Sequence, residues 1–247
     1  MVRSKLATLA VLMMVFMMLL LCALQTIAQD KSKQATYDKG VKLIKEEKYD
    51  TAIEIFKGII KVDPKNANAL VQLANAYRGA GRFPDALESY KQALQLKPNF
   101  ADALYGLGVT HGMAGSPKDA VTFLKESIKR NPKYDKAYYN LGVAYSDLGQ
   151  FAEAAEAFKE ATRLNDKDAD YFFNLGVTYR QLNKLKEAEE ALAQTVLLKP
   201  QDNEARYQLA LVYLAQGNRG FATIHYLYLE KSSPEHAEKL KELLFNK

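Results

Sequence analysis

The stretch Tyr138–Gly149 reads YYNLGVAYSDLG, and nearly the same phrase stands on both sides of it in the chain. Phe172–Asn183, 34 residues later, reads FFNLGVTYRQLN, and Leu104–Gly115, 34 residues earlier, reads LYGLGVTHGMAG. Self-similarity at a fixed period of about 20–50 residues is typical of solenoids and other repeat architectures. The chain is therefore expected to consist of stacked copies of one small unit.

The same period runs through most of the chain. With Lys33 as position 1, six repeats follow one another without insertion or deletion, at 33–66, 67–100, 101–134, 135–168, 169–202 and 203–236. Position 20 is alanine in every repeat, at Ala52, Ala86, Ala120, Ala154, Ala188 and Ala222. Position 8 is always small, at Gly40, Ala74, Gly108, Gly142, Gly176 and Ala210. Position 32 is proline in five of the six repeats.

Each repeat carries the pattern of two amphipathic helices. Apolar residues recur at spacings of three and four, as in the stripe Leu141, Ala144, Tyr145 and Leu148. Gly149 is expected to end the first helix, because glycine tolerates the left-handed conformation found at helix ends. The proline at position 32 ends the second helix, since it lacks an N–H group. The small residues at positions 8 and 20 allow the two helices to approach closely.

These positions resemble the tetratricopeptide repeat, whose pattern has Leu-Gly at 7–8, Tyr at 11, Ala at 20 and Pro at 32. The resemblance covers nearly everything after the first 32 residues. It implies an all-α fold, a right-handed superhelical α-solenoid of helix pairs. Residues 237–247 continue the register for half a repeat and are expected to form a capping helix at the C-terminal end.

The first 28 residues, called the leader here, differ from the rest of the chain. Arg3 and Lys5 precede an unbroken apolar run of 16 residues, Leu9–Leu24, and small residues stand near Ala28. A basic start, an apolar core and a small-residue cleavage site are typical of a secretory signal peptide. We expect an exported protein, most simply a periplasmic one. Membrane anchoring by residues 6–27, full secretion and a lipoprotein cysteine at Cys22 are alternatives.

Composition argues against several classes of site. Cys22 is the only cysteine, so a chain cleaved after Ala28 has no thiol for disulfides or for a Cys-ligated metal. Cleavage would also lower the net charge from +5 to +3, because Arg3 and Lys5 are the leader's only charges, and this mild excess does not predict nucleic-acid binding. The histidines His111, His225 and His236 have no metal-ligand spacing. We therefore predict no metal, no cofactor, no catalytic residues and no enzyme activity.

The resemblance implies where a partner would bind. In this family the first helices line the concave surface, with positions 2, 5, 6, 9, 12 and 13 facing inward. The implied protein- or peptide-binding groove contains the aromatic and valine side chains Tyr105, Val109, Tyr139, Val143, Phe173, Val177 and Tyr207, with the amides Asn140 and Asn174. A side-chain amide both donates and accepts, so these asparagines are candidates for holding a peptide backbone. The same residues could instead serve only to pack neighbouring first helices.

Two repeats depart from the pattern. The third has Gly106 and Gly112 at inward positions and His111 in place of tyrosine, which predicts either a ligand hollow or tolerated drift. We expect His111 to pack as a substitute for tyrosine. The sixth repeat has Tyr228 at a position expected to point away from the core, where it could mediate self-association or pack against the cap.

The favoured hypothesis is a non-enzymatic, exported scaffold that binds a protein or extended peptide in the groove. One alternative is a structural or self-assembling component of an envelope complex, or a homo-oligomer. Another is an accessory subunit that presents substrates to a separate enzyme. The sequence does not identify the partner, and it predicts membrane contact only through an uncleaved leader.

Overall fold

The computed structural model describes the backbone of residues 2–245, and its side chains except those of residues 2–16, 22–23 and 26–28. The cleavage-site residues 26–28, Cys22 and the last two residues of the expected cap lie outside the described side chains. Every regular element in the described range is an α-helix. The predicted all-α class is therefore confirmed.

The chain divides into two compact units, residues 1–98 and 99–247, called the N-terminal and C-terminal units here. The N-terminal unit contains α1 (Val2–Lys45), α2 (Tyr49–Val62), α3 (Ala67–Gly79) and α4 (Phe83–Leu96). The C-terminal unit contains α5 (Ala101–Met113), α6 (Pro117–Arg130), α7 (Asp135–Asp147), α8 (Phe151–Leu164), α9 (Ala169–Gln181), α10 (Leu185–Leu198), α11 (Asn203–Ala215), α12 (Arg219–Ser232) and α13 (Pro234–Phe245).

Helix α1 joins the leader to the first repeat. It runs 44 residues without a break, so the leader and the first helix of that repeat form one element. Apolar side chains of the leader, among them Leu19 and Leu24, are more than half exposed. Within the part of the chain that the structure describes, no helix combines the length and hydrophobicity needed to cross a bilayer.

The first helix of a repeat ends in a left-handed residue wherever a tight turn follows. Gly115, Gly149 and Gly217 have φ of +79°, +72° and +78° in the C-terminal unit, and Asn183 has φ of +56°. The residue after each turn donates its backbone N–H to the preceding helix, as Gln150 does to Tyr145 O at 2.9 Å. Glycine and asparagine fit these positions because they tolerate positive φ at little cost.

Position 8 is small because the second helix of the same repeat lies directly against it. A Cβ built on Gly142 would lie 2.6 Å from Cε1 of Phe158, and one on Gly176 would lie 2.6 Å from Cγ of Leu192. The alanines at position 20 are at most 1% exposed in all six repeats. Neither position leaves room for a side chain larger than that of alanine. The small residues at positions 8 and 20 therefore follow from the close spacing of the two helices in a repeat.

The C-terminal unit stacks its helices in chain order. Each helix from α5 to α12 contacts the next, and the first helices also touch at α5–α7 and α9–α11. The core is built from side chains such as Leu124, Leu141, Phe158, Leu192 and Leu209, all under 8% exposed. Helix α13 packs on α11 and α12 through Ala237, Leu240 and Leu244. The unit is an all-α repeat solenoid, as expected.

The N-terminal unit follows the same plan on a smaller scale. Helix α1 contacts α2 and α3, and α3 contacts α4. Phe56 of α2 is fully buried beneath Gly40, whose added Cβ would approach the Phe56 ring to 2.6 Å. Tyr90 OH donates to Asn75 Oδ1 at 2.6 Å, which ties α4 to α3.

Candidate functional site

The nine groove residues predicted from the sequence lie on the first helices α5, α7, α9 and α11 of the C-terminal unit. All nine side chains are half-buried, and we call them together the first-helix strip. They are Tyr105, Val109, Tyr139, Asn140, Val143, Phe173, Asn174, Val177 and Tyr207. Each side chain is thus partly covered by protein and partly open to a ligand.

The two asparagines of the strip link successive first helices. Nδ2 of Asn140 donates to Tyr105 OH at 3.3 Å and to Lys136 O at 2.8 Å. Nδ2 of Asn174 donates in the same way to Tyr139 OH at 3.2 Å and to a backbone carbonyl one turn earlier. Both amide hydrogens are therefore engaged within the protein. The two side-chain amides can therefore only accept hydrogen bonds from a partner, through their carbonyl oxygens. From the sequence they were candidates both to donate to and to accept from a peptide backbone.

Two tyrosines of the strip also pack against aromatic rings at the start of the next first helix. The ring of Tyr105 lies 4.8 Å from that of Tyr134, and Tyr139 stacks on Tyr171 at 4.9 Å. Burial, together with the nearby Asp170 carboxylate, raises the pKa of Tyr139. Tyr105 and Tyr139 contact the next first helix and remain half-buried, so packing and binding are not exclusive roles.

The amide–tyrosine pattern stops after α9. Phe173 has no hydroxyl to offer Gln208, whose Nε2 donates instead to Glu204 at 2.7 Å. Among the described residues, Oε1 of Gln208 and Nε of Arg180, at inward position 12, are buried without a hydrogen-bond partner, as are Nη1 of Arg78 and Nδ1 of His225 outside the strip. A buried polar atom without a hydrogen bond is costly. The half-buried side chains of Arg180 and Gln208 lie at inward positions of α9 and α11, and the list drawn from the sequence omitted both, although an inward arginine was a visible signal.

A small hollow opens between α5 and α7. Its volume is about 210 Å³, and its lining comprises Gly108, Val109, Gly112, Met113, Ala120, Leu124, Asn140, Val143, Ala144 and Asp147. Gly112 is on this lining and Gly106 is not. Of the two glycines that suggested a ligand hollow, Gly112 is the one that forms it.

The histidines are held by neighbouring side chains. His111 stacks on Phe123 at 5.2 Å with rings 11° apart, which fits its expected role as a tyrosine substitute. His236 contacts Glu204 Oε2 through Nε2 at 2.8 Å. Burial, with a smaller effect from a nearby arginine, lowers the pKa of His225. Among the described residues no group of three or more His, Cys, Asp or Glu side chains is placed to hold a metal.

Tyr228 packs against the start of its own repeat and the end of the repeat before it. Its hydroxyl donates to Gln201 Oε1 at 2.9 Å, and the Arg206 guanidinium lies 3.8 Å from the ring centroid. The ring is half-buried in these contacts. More than half of each of three apolar side chains on the same helix is exposed, namely Phe221, Ile224 and Leu227.

The N-terminal unit has a larger open cavity, of about 1020 Å³. It lies between the part of α1 just after the leader and the second helix of the first repeat. Apolar atoms of Tyr37, Ile55, Ile59 and Val62 contribute to its lining, with polar groups such as Asp30 and Asp63.

Profiles of known families match most of the chain. Profiles described as TPR repeat match residues 74–115, and profiles described as tetratricopeptide repeat match 43–88, 114–169, 139–197 and 173–219. A comparison with curated proteins gives no match.

Several solved structures have a similar fold. The crystal structure of MamA is 30% identical, with 68% of this chain and 95% of MamA covered and a TM-score of 0.61. PilF of Pseudomonas aeruginosa is 18% identical, with 86% and 97% covered and a TM-score of 0.75. YrrB, described as a TPR protein with an unusual peptide-binding site, is 23% identical, with 76% and 97% covered and a TM-score of 0.67. The chain belongs to the tetratricopeptide repeat family.

Proposed function

We propose that this protein is a non-enzymatic scaffold that binds a protein or an extended peptide along the first-helix strip of the C-terminal unit. The observation that carries the proposal is the row of half-buried aromatic and valine side chains on successive first helices, edged by the amides of Asn140 and Asn174. Apolar surface rimmed by polar residues is typical of a binding site. The peptide-binding site described for YrrB, which has a similar fold, supports the same use of the fold here.

The leader adds a proposed location. Its basic start, apolar run and small residues near Ala28 support export across a membrane, with the scaffold acting in the periplasm or at an envelope. Presentation of a bound substrate to a separate enzyme would use the same strip and is a special case of this function.

Self-association is a second candidate function. It is favoured by the apolar side chains Phe221, Ile224 and Leu227 on α12, each more than half exposed. Light scattering of the full chain at increasing concentration tests it. A mass that stays at 27.7 kDa throughout would refute it.

The test of the scaffold function is capture of a partner by the immobilised full chain, with a strip variant and a matched control. The strip variant is Val143→Lys with Val177→Lys, which places two long charged side chains on the half-buried strip. The control is Val121→Lys with Val196→Lys, which changes two half-buried valines on second helices. Lysine favours helices more than valine does and can extend its charge into solvent, so both variants should stay folded.

A protein retained by the wild type and the control but lost by the strip variant would support the proposal. Equal retention by all three chains, with far-ultraviolet circular dichroism unchanged, would refute it.

A further inference from the structure

The hollow beside Gly112 has the size and position of a pocket for one side chain of a bound segment. About 210 Å³ is too small for a folded partner. The hollow opens on the first-helix strip, because Val109, Asn140 and Val143 belong to both.

Packing between helices does not require glycine at position 112. A Cβ added there would meet only Ala120 Cβ, at 3.7 Å, which is ordinary van der Waals contact. On the same helix a Cβ added to Gly108 would lie 2.6 Å from Leu124 Cγ, so that glycine is explained by the helix pair. Glycine is a poor helix former, and no close contact of the described residues explains why residue 112 is a glycine. Its effect is to leave the hollow open.

The walls of the hollow are apolar and its polar groups are acceptors. Val109, Met113, Leu124 and Val143 supply the apolar lining. Asn140 has both amide hydrogens engaged, so its remaining capacity is that of an acceptor. The other polar side chain on the lining is the exposed carboxylate of Asp147, and no ion pair of Asp147 is found within the described part of the chain.

The electrostatics of the helix ends favour a positive occupant. Met113 is the last residue of α5 and Asp147 is the last residue of α7, so two helix C-termini flank the hollow. The C-terminal end of a helix carries partial negative charge and favours cations, and a carboxylate there adds to that charge. Asp147 at this place is unfavourable unless a cation lies near it.

We propose that the hollow is a specificity pocket for a long basic side chain, such as lysine, of the bound segment. The aliphatic stem lies against the apolar walls, and the ammonium group reaches the Asp147 carboxylate and the Asn140 carbonyl oxygen. This inference rests on the proposed scaffold function, because it names the chemistry of one contact on the same strip.

The test uses full-length protein labelled with ¹³C-methyl methionine, because Met113 lines the hollow. Its resonance is assigned by its loss in Met113→Leu. Three capped pentapeptides are titrated, alanine throughout except for a central lysine, norleucine or glutamate. Norleucine has an aliphatic chain similar to that of lysine but no charge.

The lysine peptide should shift the Met113 resonance at the lowest concentration and the glutamate peptide should not shift it. Asp147→Asn should weaken lysine binding about two- to fivefold, the range that an exposed ion pair supplies, and should leave norleucine binding unchanged. Asp166→Asn, an exposed carboxylate away from the hollow, is the matched control. Gly112→Leu should fill the hollow and abolish the shift.

Equal binding of lysine and norleucine peptides, no shift with any peptide, or a shift that survives Gly112→Leu would each overturn the pocket. None of these outcomes would affect the partner-capture result for Val143→Lys with Val177→Lys. The pocket and the scaffold function can therefore fail separately.

Discussion

Gly142→Ala tests the close approach of the helix pair, the feature on which the repeat pattern depends. The added Cβ would lie 2.6, 2.7 and 2.9 Å from three ring carbons of Phe158. Real Cβ contacts are essentially never this short, so the ring or the helix must shift. Phe158 is 1% exposed and cannot move into solvent.

Two opposing effects set the magnitude. Overpacking a core costs about 1–3 kcal/mol, whereas replacing a helical glycine by alanine gains at most about 1 kcal/mol. We expect Gly142→Ala to lose up to about 2 kcal/mol of unfolding free energy. Gly112→Ala, whose Cβ meets a neighbour only at 3.7 Å, should keep the gain and lose nothing. The two variants should therefore differ by about 1–3 kcal/mol, with Gly142→Ala the less stable.

The assay is urea unfolding of the two variants and the wild type, followed by far-ultraviolet circular dichroism. A double-mutant cycle with Phe158→Ala isolates the clash, because removing the ring should make Gly142→Ala neutral or stabilising. Equal stability of Gly142→Ala and Gly112→Ala, or no coupling to Phe158, would refute the explanation of position 8 by helix approach.

Three further changes test contacts between repeats and within the last one. Tyr171 OH donates to Asp135 Oδ2 at 3.0 Å, so Tyr171→Phe should cost about 1–3 kcal/mol in urea unfolding at pH 7. Burial and this carboxylate raise the pKa of Tyr171 above 10, so the stability it contributes is present below pH 10 and lost above it. Tyr171→Phe should therefore show a smaller fall in stability between pH 9 and 11 than the wild type, and an equal fall would contradict this. Burial lowers the pKa of His225 below 6.5, so folding is penalised as pH falls through 6.5. The melting temperature of His225→Phe should drop less between pH 7.5 and 5.5 than that of the wild type, and parallel curves would exclude His225 as the cause. Asn174→Ala removes the donor to Tyr139 OH and should lower the unfolding free energy by about 0.5–2 kcal/mol, whereas an unchanged urea midpoint would show that this link contributes nothing.

The sequence predicted the fold well because the fold depends on local, repeated constraints. A glycine or alanine at position 8 and an alanine at position 20 are required where the two helices of a repeat touch, so they appear in the sequence at a fixed period. Gly149 and Asn183 likewise follow from positive φ at a helix end. Glu47, with φ of +58°, was not anticipated, because nothing in its chemistry marks a left-handed residue.

The candidate site was predicted less completely, because it depends on contacts between repeats. The position of Asn140 was visible in the sequence, but the use of both its amide hydrogens was not, since one acceptor lies 35 residues away. The hollow could be suspected from Gly112. The carboxylate at the edge of the hollow could not be predicted from the sequence, because Asp147 belongs to the next repeat. The division into two units after Pro98 is also not marked in the 34-residue register.

We infer that the contacts that distinguish one partner from another lie where the chain departs from its own repeat. Most positions satisfy the same packing requirement in each copy, so they carry little information about a particular partner. Gly112, Phe173 and Arg180 differ from the residues at the same inward positions of the adjoining repeats. Gly112 leaves open space, Phe173 lacks the hydroxyl of the neighbouring tyrosines and, within the described part of the chain, the buried Nε–H of Arg180 has no acceptor. A solenoid stays folded despite such local losses of stability because its other helices pack fully against their neighbours. Restoring the pattern, for example with Phe173→Tyr to give Gln208 a partner hydroxyl, should raise stability and weaken partner capture. A rise in stability with undiminished capture would show that the departure at position 173 is drift.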